Sequence, residues 1–326
     1  MYMSSVSMKV KSIWRSVKDR FRLRRHNETS APAASPQGTI GGMSLPHGSF
    51  VFGFAEQWLA FQQAHPKFVA ALEPLAKTTE KAMQRVFNQR KPADALVFLS
   101  GSVVHEDFTE VWVLAGNGLG AGALKIVRGM YERTVTAAYI SKFPDEARRF
   151  WDYGAIAHRR LINHAKEIYG TEQLGRVLGA DHIANVNTAY QAVAKDFRET
   201  VCATCKTDKE MFSWSKLSLP AMAKKAGYGL EYCYYNGYAW PTQQVHSTVL
   251  AITSRMNLPG NGAYFTRDAE QAQAALAAMM GHLLMLKMLR VQDSYFSLGL
   301  ESEIKEREAE CKVAWPGVEN DFDRGL

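Results

Sequence analysis

Apolar residues recur every three to four positions along most of this chain, the spacing of helices that bury one face. Over residues 8–25, Val10, Ile13, Trp14, Val17 and Phe21 keep that spacing between cations, the pattern of a basic amphipathic helix. Residues 27–48 are rich in Ser, Ala, Pro and Gly and read as a flexible linker. The body starts near Phe50. Helices are predicted over 54–63 and 66–90, the second opened by Pro66. Residues 96–101 fit a short strand or a helical turn. Residues 109–143 read as one long helix or two joined ones, stopped by Pro144. Helical pattern continues over 144–169, closed by Gly170, and over 171–201, and a polar loop follows over 202–213. Shorter helices are expected over 217–226, 230–238 and 245–256, with a turn over 258–262. A long apolar helix spans 267–299 and continues with charges over 301–312. Few stretches alternate with period two for long enough to make a sheet, and no internal repeat is present. The expectation is an all-α protein: a flexible basic arm and linker over residues 1–48, then a single multi-helix bundle domain over 49–326.

The chain has 326 residues and is 47% hydrophobic, enough to bury one large core or two smaller ones. Its mean hydropathy of −0.23 argues against a multi-span membrane protein. The most apolar segment, 274–289, is interrupted by His282 and Lys287. A membrane span needs about 20 uninterrupted residues, so this segment reads as a buried bundle helix.

Charge redraws the picture at one end only. Residues 1–26 carry eight cations (Lys9, Lys11, Arg15, Lys18, Arg20, Arg22, Arg24, Arg25) against Asp19, which equals the whole chain's net +7. The remainder is formally neutral, so the basic character belongs to the arm and says nothing of a nucleic-acid groove in the body. The arm reads either as a helix touching anionic membrane or nucleic acid through residues 8–25, or as a solvated tail. Cys202, Cys205, Cys233 and Cys311 follow no secretory leader, so free thiols in the cytoplasm are expected, with peripheral membrane contact through the arm as the variant.

Candidate chemistry sits in five places. Gly116, Gly118, Gly120 and Gly122 alternate, but without a preceding strand or a P-loop lysine they fit close helix contact or an interhelical loop better than a phosphate cradle. Cys202 and Cys205 form a lone CxxC, two ligands short of a structural zinc site, and free thiols are the simpler reading. Arg128 and Glu132 are four apart and share a helix face flanked by Val127, Met130, Val135, Ala138 and Tyr139. A charged pair among apolar neighbours either anchors a polar network or lines a pocket. Arg159 and His164 match the R-x4–6-H spacing of HEPN-type ribonucleases, in which a histidine moves a proton and an arginine holds phosphate; a solvated basic face explains the same spacing. Finally, Trp214, Tyr232, Tyr235, Tyr238 and His246 punctuate one stretch, as either a satisfied buried network or a site.

Arg128-x3-Glu132 with Tyr139 downstream, Trp214-Ser215, Tyr232-x2-Tyr235 and Val245-His246-Ser247 resemble, in order and spacing, a bacterial family catalogued as domain of unknown function 5677, over roughly residues 95–260. Pro241-Thr242-Gln243 stands where that pattern has a serine ahead of the histidine. The resemblance implies an all-α domain and no established activity. The expected site joins His246, Arg128, Glu132, Arg159 and His164 as catalytic candidates with Trp214, Tyr232 and Tyr235 as substrate-binding ones, and no metal or other cofactor. Two functions stand: a HEPN-like metal-independent ribonuclease effector, or a non-catalytic interaction or regulatory protein. The sequence leaves pairing as a homodimer open.

Overall fold

The computed structural model describes residues 54–84, 91–202, 207–246, 248–254, 256–257, 264–265 and 269–317. The chain divides at Phe50 into two units, and every described residue lies in the second. The amphipathic arm, the linker and Cys205 fall outside the described residues.

The body is helical, as its periodicity predicts. The helices are α1 (Ala55–Ala64), α2 (Pro66–Met83), α3 (Pro92–Gly116), α4 (Gly120–Lys142), α5 (Ala147–Tyr169), α6 (Thr171–Leu178), α7 (Ala180–Val193), α8 (Leu219–Ala226), α9 (Trp240–Val245), α10 (Val249–Thr253), α11 (Ala269–Phe296) and α12 (Glu301–Ala314). Two antiparallel pairs complete it, β1 (Arg198–Cys202) with β2 (Thr207–Glu210) and β3 (Met256–Asn257) with β4 (Tyr264–Phe265).

Helices α3, α4 and α11 pack on one another and hold the core, with α12 and α2 against one flank and α8 and α9 against α4. Small residues make the close approach possible. A Cβ on Gly281 of α11 would lie 3.0 Å from Val111 of α3, and one on Gly116 would fall 1.4 Å from the ring of Trp58, which stacks on Trp112. The four spaced glycines thus belong to a helix contact and to the turn joining α3 to α4, not to a phosphate loop. Residues 96–101 are helical, inside α3.

Within α11, residues 271–296 are long and apolar enough to cross a membrane, and 78% of that apolar window is buried inside the protein, as in a bundle's central helix. Its polar residues each tie down a different segment. His282 accepts a hydrogen bond at Nδ1 from Trp315 Nε1 (3.3 Å). Lys287 donates to the carbonyl of Tyr228 (2.6 Å), whose φ of 59° lies in the left-handed region between Gly227 and Gly229. Gln292 donates to the carbonyl of Val97 (2.6 Å) on α3. These three bonds offset part of the desolvation cost of polar groups in an apolar helix; the buried His282 Nε2 and Gln273 Oε1 have no hydrogen-bond partner among the described residues.

The stretch expected to be one helix over 171–201 is broken. Gly179 (φ 82°) separates α6 from α7, a short 3-10 turn follows, and β1 begins at Arg198. The polar loop over 202–213 contains β2. A side chain on α5 fixes this hairpin: Arg160 bonds the Glu210 carboxylate (2.6 Å), the Tyr153 hydroxyl (2.9 Å) and the carbonyl of Met211. Before α9 the backbone widens into a π turn, Tyr235–Ala239. Pro241 accounts for it, because proline has no N–H for the carbonyl four residues earlier and its ring would strike that oxygen. Gly237, within the turn, lets the ring of Tyr131 and the methyl of Met280 close in; a Cβ there would meet them at 3.0 and 3.4 Å.

Candidate functional site

Helix α4 carries the candidate chemistry at two levels. At the first, Arg128 and Glu132 pair along one face (3.2 Å), as their spacing predicts. The Arg128 guanidinium lies 5.2 Å from the ring of Tyr238, a cation over an aromatic face. Tyr238 packs on Tyr131 (6.0 Å) and Tyr234 (5.5 Å), and the buried Tyr131 hydroxyl donates to the carbonyl of Leu230 (2.9 Å). Burial pushes the Tyr131 phenol well above its ordinary value, so this hydroxyl stays a donor. The cluster is half-open: Arg128 is 25% exposed and Glu132 42%.

The other sequence-predicted residues are distributed around it. Tyr232 and Tyr235 are exposed, at 44% and 67%. His246 follows α9, which packs on α4, and its side chain is exposed. Among the described residues none hydrogen-bonds its ring. Arg159 hydrogen-bonds Asn163 on its own helix and lies over the ring of Tyr190 (5.9 Å). His164, 81% exposed, meets Glu167 one turn on (3.2 Å). Neither lies in a described cavity.

Trp214 belongs to the second level. Its buried ring packs on Tyr139 (6.0 Å) and Phe150 (5.5 Å). Tyr139 stands eleven positions after Arg128, roughly 16 Å along the α4 axis at about 1.5 Å per residue. The structure therefore separates Trp214 from the Arg128 cluster rather than joining them.

Beside Trp214 lies a cavity of about 250 Å³ lined by Tyr139, Glu146, Arg149, Ser215, Lys216 and Leu217. Arg149 on α5 gives three of its five N–H groups to neutral acceptors: Nε donates to the carbonyl of Trp214 (2.7 Å), Nη1 to that of Asp196 (3.1 Å), and Nη2 meets Met211 Sδ (3.2 Å). Phe197 lies beneath it, 4.4 Å from ring centre to Cζ. Ser215 Oγ accepts the N–H of Leu217 (3.0 Å), which shapes the turn into α8. Burial, with Glu146 nearby, raises the Tyr139 phenol and keeps it protonated. Sequence reasoning found Trp214 and Ser215 through their aromatic-rich stretch. It missed Glu146, Arg149 and Lys216, which come from the 3-10 turn before α5, from α5 and from the 211–217 loop and carry no spacing signal.

Among the described residues no three His, Cys, Asp or Glu side chains gather as metal ligands. Cys233 and Cys311 are buried, and burial pushes the Cys311 thiol up, away from thiolate chemistry. Both levels fall within residues 102–263, the segment that matches the sequence model of a family of unknown function (DUF5677). No curated protein and no solved structure matches the chain.

Proposed function

Residues 102–263 belong to that family of unknown function, and from this premise we propose that the chain is a non-catalytic interaction or regulatory protein that pairs with a second copy of itself. One observation carries the reading. Val245, Val249, Leu250, Ile252 and Met256 are all exposed, at 41%, 75%, 53%, 58% and 38%, within twelve residues. Across residues 245–256 the sequence holds no Asp, Glu or Lys and a single Arg, Arg255. Contiguous exposed apolar surface of this kind marks contact sites. With so little charge, it needs no partner of opposite sign, and a two-fold axis would lay it against its own copy. The Arg128–Glu132–Tyr238 cluster then acts as a positioning network that holds the π turn and α9, from which this surface projects.

A ribonuclease reading asks for an imidazole and a cation held over one phosphate. His164 and His246 both stand at exposed positions, and Arg159 is engaged with Asn163, which favours the first reading. In that reading the basic arm over residues 8–25 supplies contact with anionic membrane or nucleic acid.

Sedimentation equilibrium of the full chain tests the pairing. The wild type is expected to populate dimers at micromolar concentration. Val249→Asp with Ile252→Asp is expected to be monomeric with an unchanged helical circular dichroism spectrum. Dimerisation equal in both proteins, or a wild type that stays monomeric, refutes it.

A further inference from the structure

The cavity beside Trp214 has a charge balance that no described residue completes. Arg149 makes three hydrogen bonds, all with uncharged acceptors, and among the described residues no carboxylate pairs with its guanidinium. Those contacts hold it still. Lys216 on the rim is exposed and has no ion pair among the described residues. Glu146 is likewise unpaired there, leaving two cations against one carboxylate around one small space. The neutral groups are donors. Ser215 Oγ has accepted the Leu217 N–H and keeps its own hydrogen to give. No described hydrogen bond uses the Tyr139 hydroxyl.

We infer that this cavity is a binding site for a small phosphate monoester that carries a hydroxyl group. Phosphate offers several oxygens, which suits donors arriving from Arg149, Lys216, Ser215 and Tyr139 on different elements; a planar carboxylate offers two. The hydroxyl answers Glu146, which otherwise repels the anion: it donates to that carboxylate and turns the one unfavourable charge into a selecting group. Space limits the ligand. The cavity, about 250 Å³ and half-open to solvent, has room for a ligand of about ten non-hydrogen atoms. The site is independent of the apolar surface at 245–256, so it stands whether or not the chain dimerises.

Isothermal titration calorimetry on the full-length protein with glycerol 3-phosphate, inorganic phosphate and glycerol tests this. Glycerol 3-phosphate is expected to bind saturably, inorganic phosphate at least about tenfold more weakly, and glycerol not at all. Lys216→Glu is expected to lose binding of both phosphates by more than about tenfold, with its thermal midpoint unchanged because the residue is an exposed rim group. Glu146→Gln is expected to bring the two phosphates together in affinity, chiefly by strengthening inorganic phosphate. Saturable binding that Lys216→Glu leaves intact overturns the assignment. So does the absence of any saturable heat with glycerol 3-phosphate up to about 10 mM, since two cations and two hydroxyls on one phosphate should reach at least millimolar affinity.

Discussion

Glu308→Ala should cost the folded protein about 3 kcal/mol, seen as a lower midpoint in urea or guanidinium unfolding at neutral pH with an unchanged slope. Glu308 on α12 receives two hydrogen bonds from Arg290 on α11, from Nε to one oxygen and from Nη2 to the other. The two side chains are only 12% and 20% exposed, so the fork is largely sealed between the helices. Alanine leaves the guanidinium without its counter-charge, and stranding one member of a buried pair costs about 3 to 5 kcal/mol. The lower figure applies because Glu301 and Asp293 also act on Arg290. Removing both partners at once, as Arg290→Met with Glu308→Leu, should be much milder than Glu308→Ala alone, since no buried charge remains. A Glu308→Ala midpoint equal to wild type would show that α12 is not clamped to the core in this way.

Acid acts on the same core from two sides, and Asp107→Asn should expose one of them. Burial lowers the His282 imidazole from 6.5 to about 4. As pH falls through that window the unfolded chain takes up a proton that the folded ring refuses, so stability present above 6.5 is lost, to a total of about 3 kcal/mol. Burial, opposed in part by Arg133 at 2.8 Å, raises the Asp107 carboxyl from 3.8 to about 6. Here the folded chain takes the proton first, so stability is gained as pH falls from about 6 to 4. The two slopes oppose each other over nearly the same interval. Asp107→Asn removes the compensating gain and leaves the imidazole's loss. Between pH 6.5 and 4 the variant should lose about 2 to 3 kcal/mol more than wild type, by urea unfolding at each pH. Carboxylates common to both proteins cancel in that difference. Equal pH dependence in the two would contradict the assignment of these opposing shifts.

Much of the bundle was legible because helices announce themselves locally. The apolar run through Ala277, Leu283 and Leu289, the turn at Gly118, the stop at Pro144 and the close at Gly170 each depend on near neighbours in sequence. What escaped depends on distant ones. The hairpin after α7 exists because Arg160, some fifty positions away, binds Glu210 and the Met211 carbonyl, and a polar stretch alone does not predict that. Lys287 looked like an interruption in an apolar helix; its carbonyl acceptor at Tyr228 becomes visible only when the left-handed loop reaches α11.

The candidate site divides along the same line. The Arg128–Glu132 pair was readable from a four-residue spacing, which geometry nearly guarantees on a helix. The convergence of Trp214 with Arg128 was not, and the structure puts them at different levels of α4. Trp214 instead packs on Tyr139, which lines a cavity whose charged members, Glu146, Arg149 and Lys216, come from a helix start and a loop with no shared pattern.

In the proposed reading the described histidines are surface or core groups rather than proton-transfer catalysts, and a cleavage assay tests this most directly. Full-length protein, His246→Ala and His164→Ala are incubated with single-stranded RNA in the presence of EDTA and resolved by electrophoresis over time. All three are predicted to leave the RNA intact. RNA cut by the wild type and spared by either histidine variant would contradict the account.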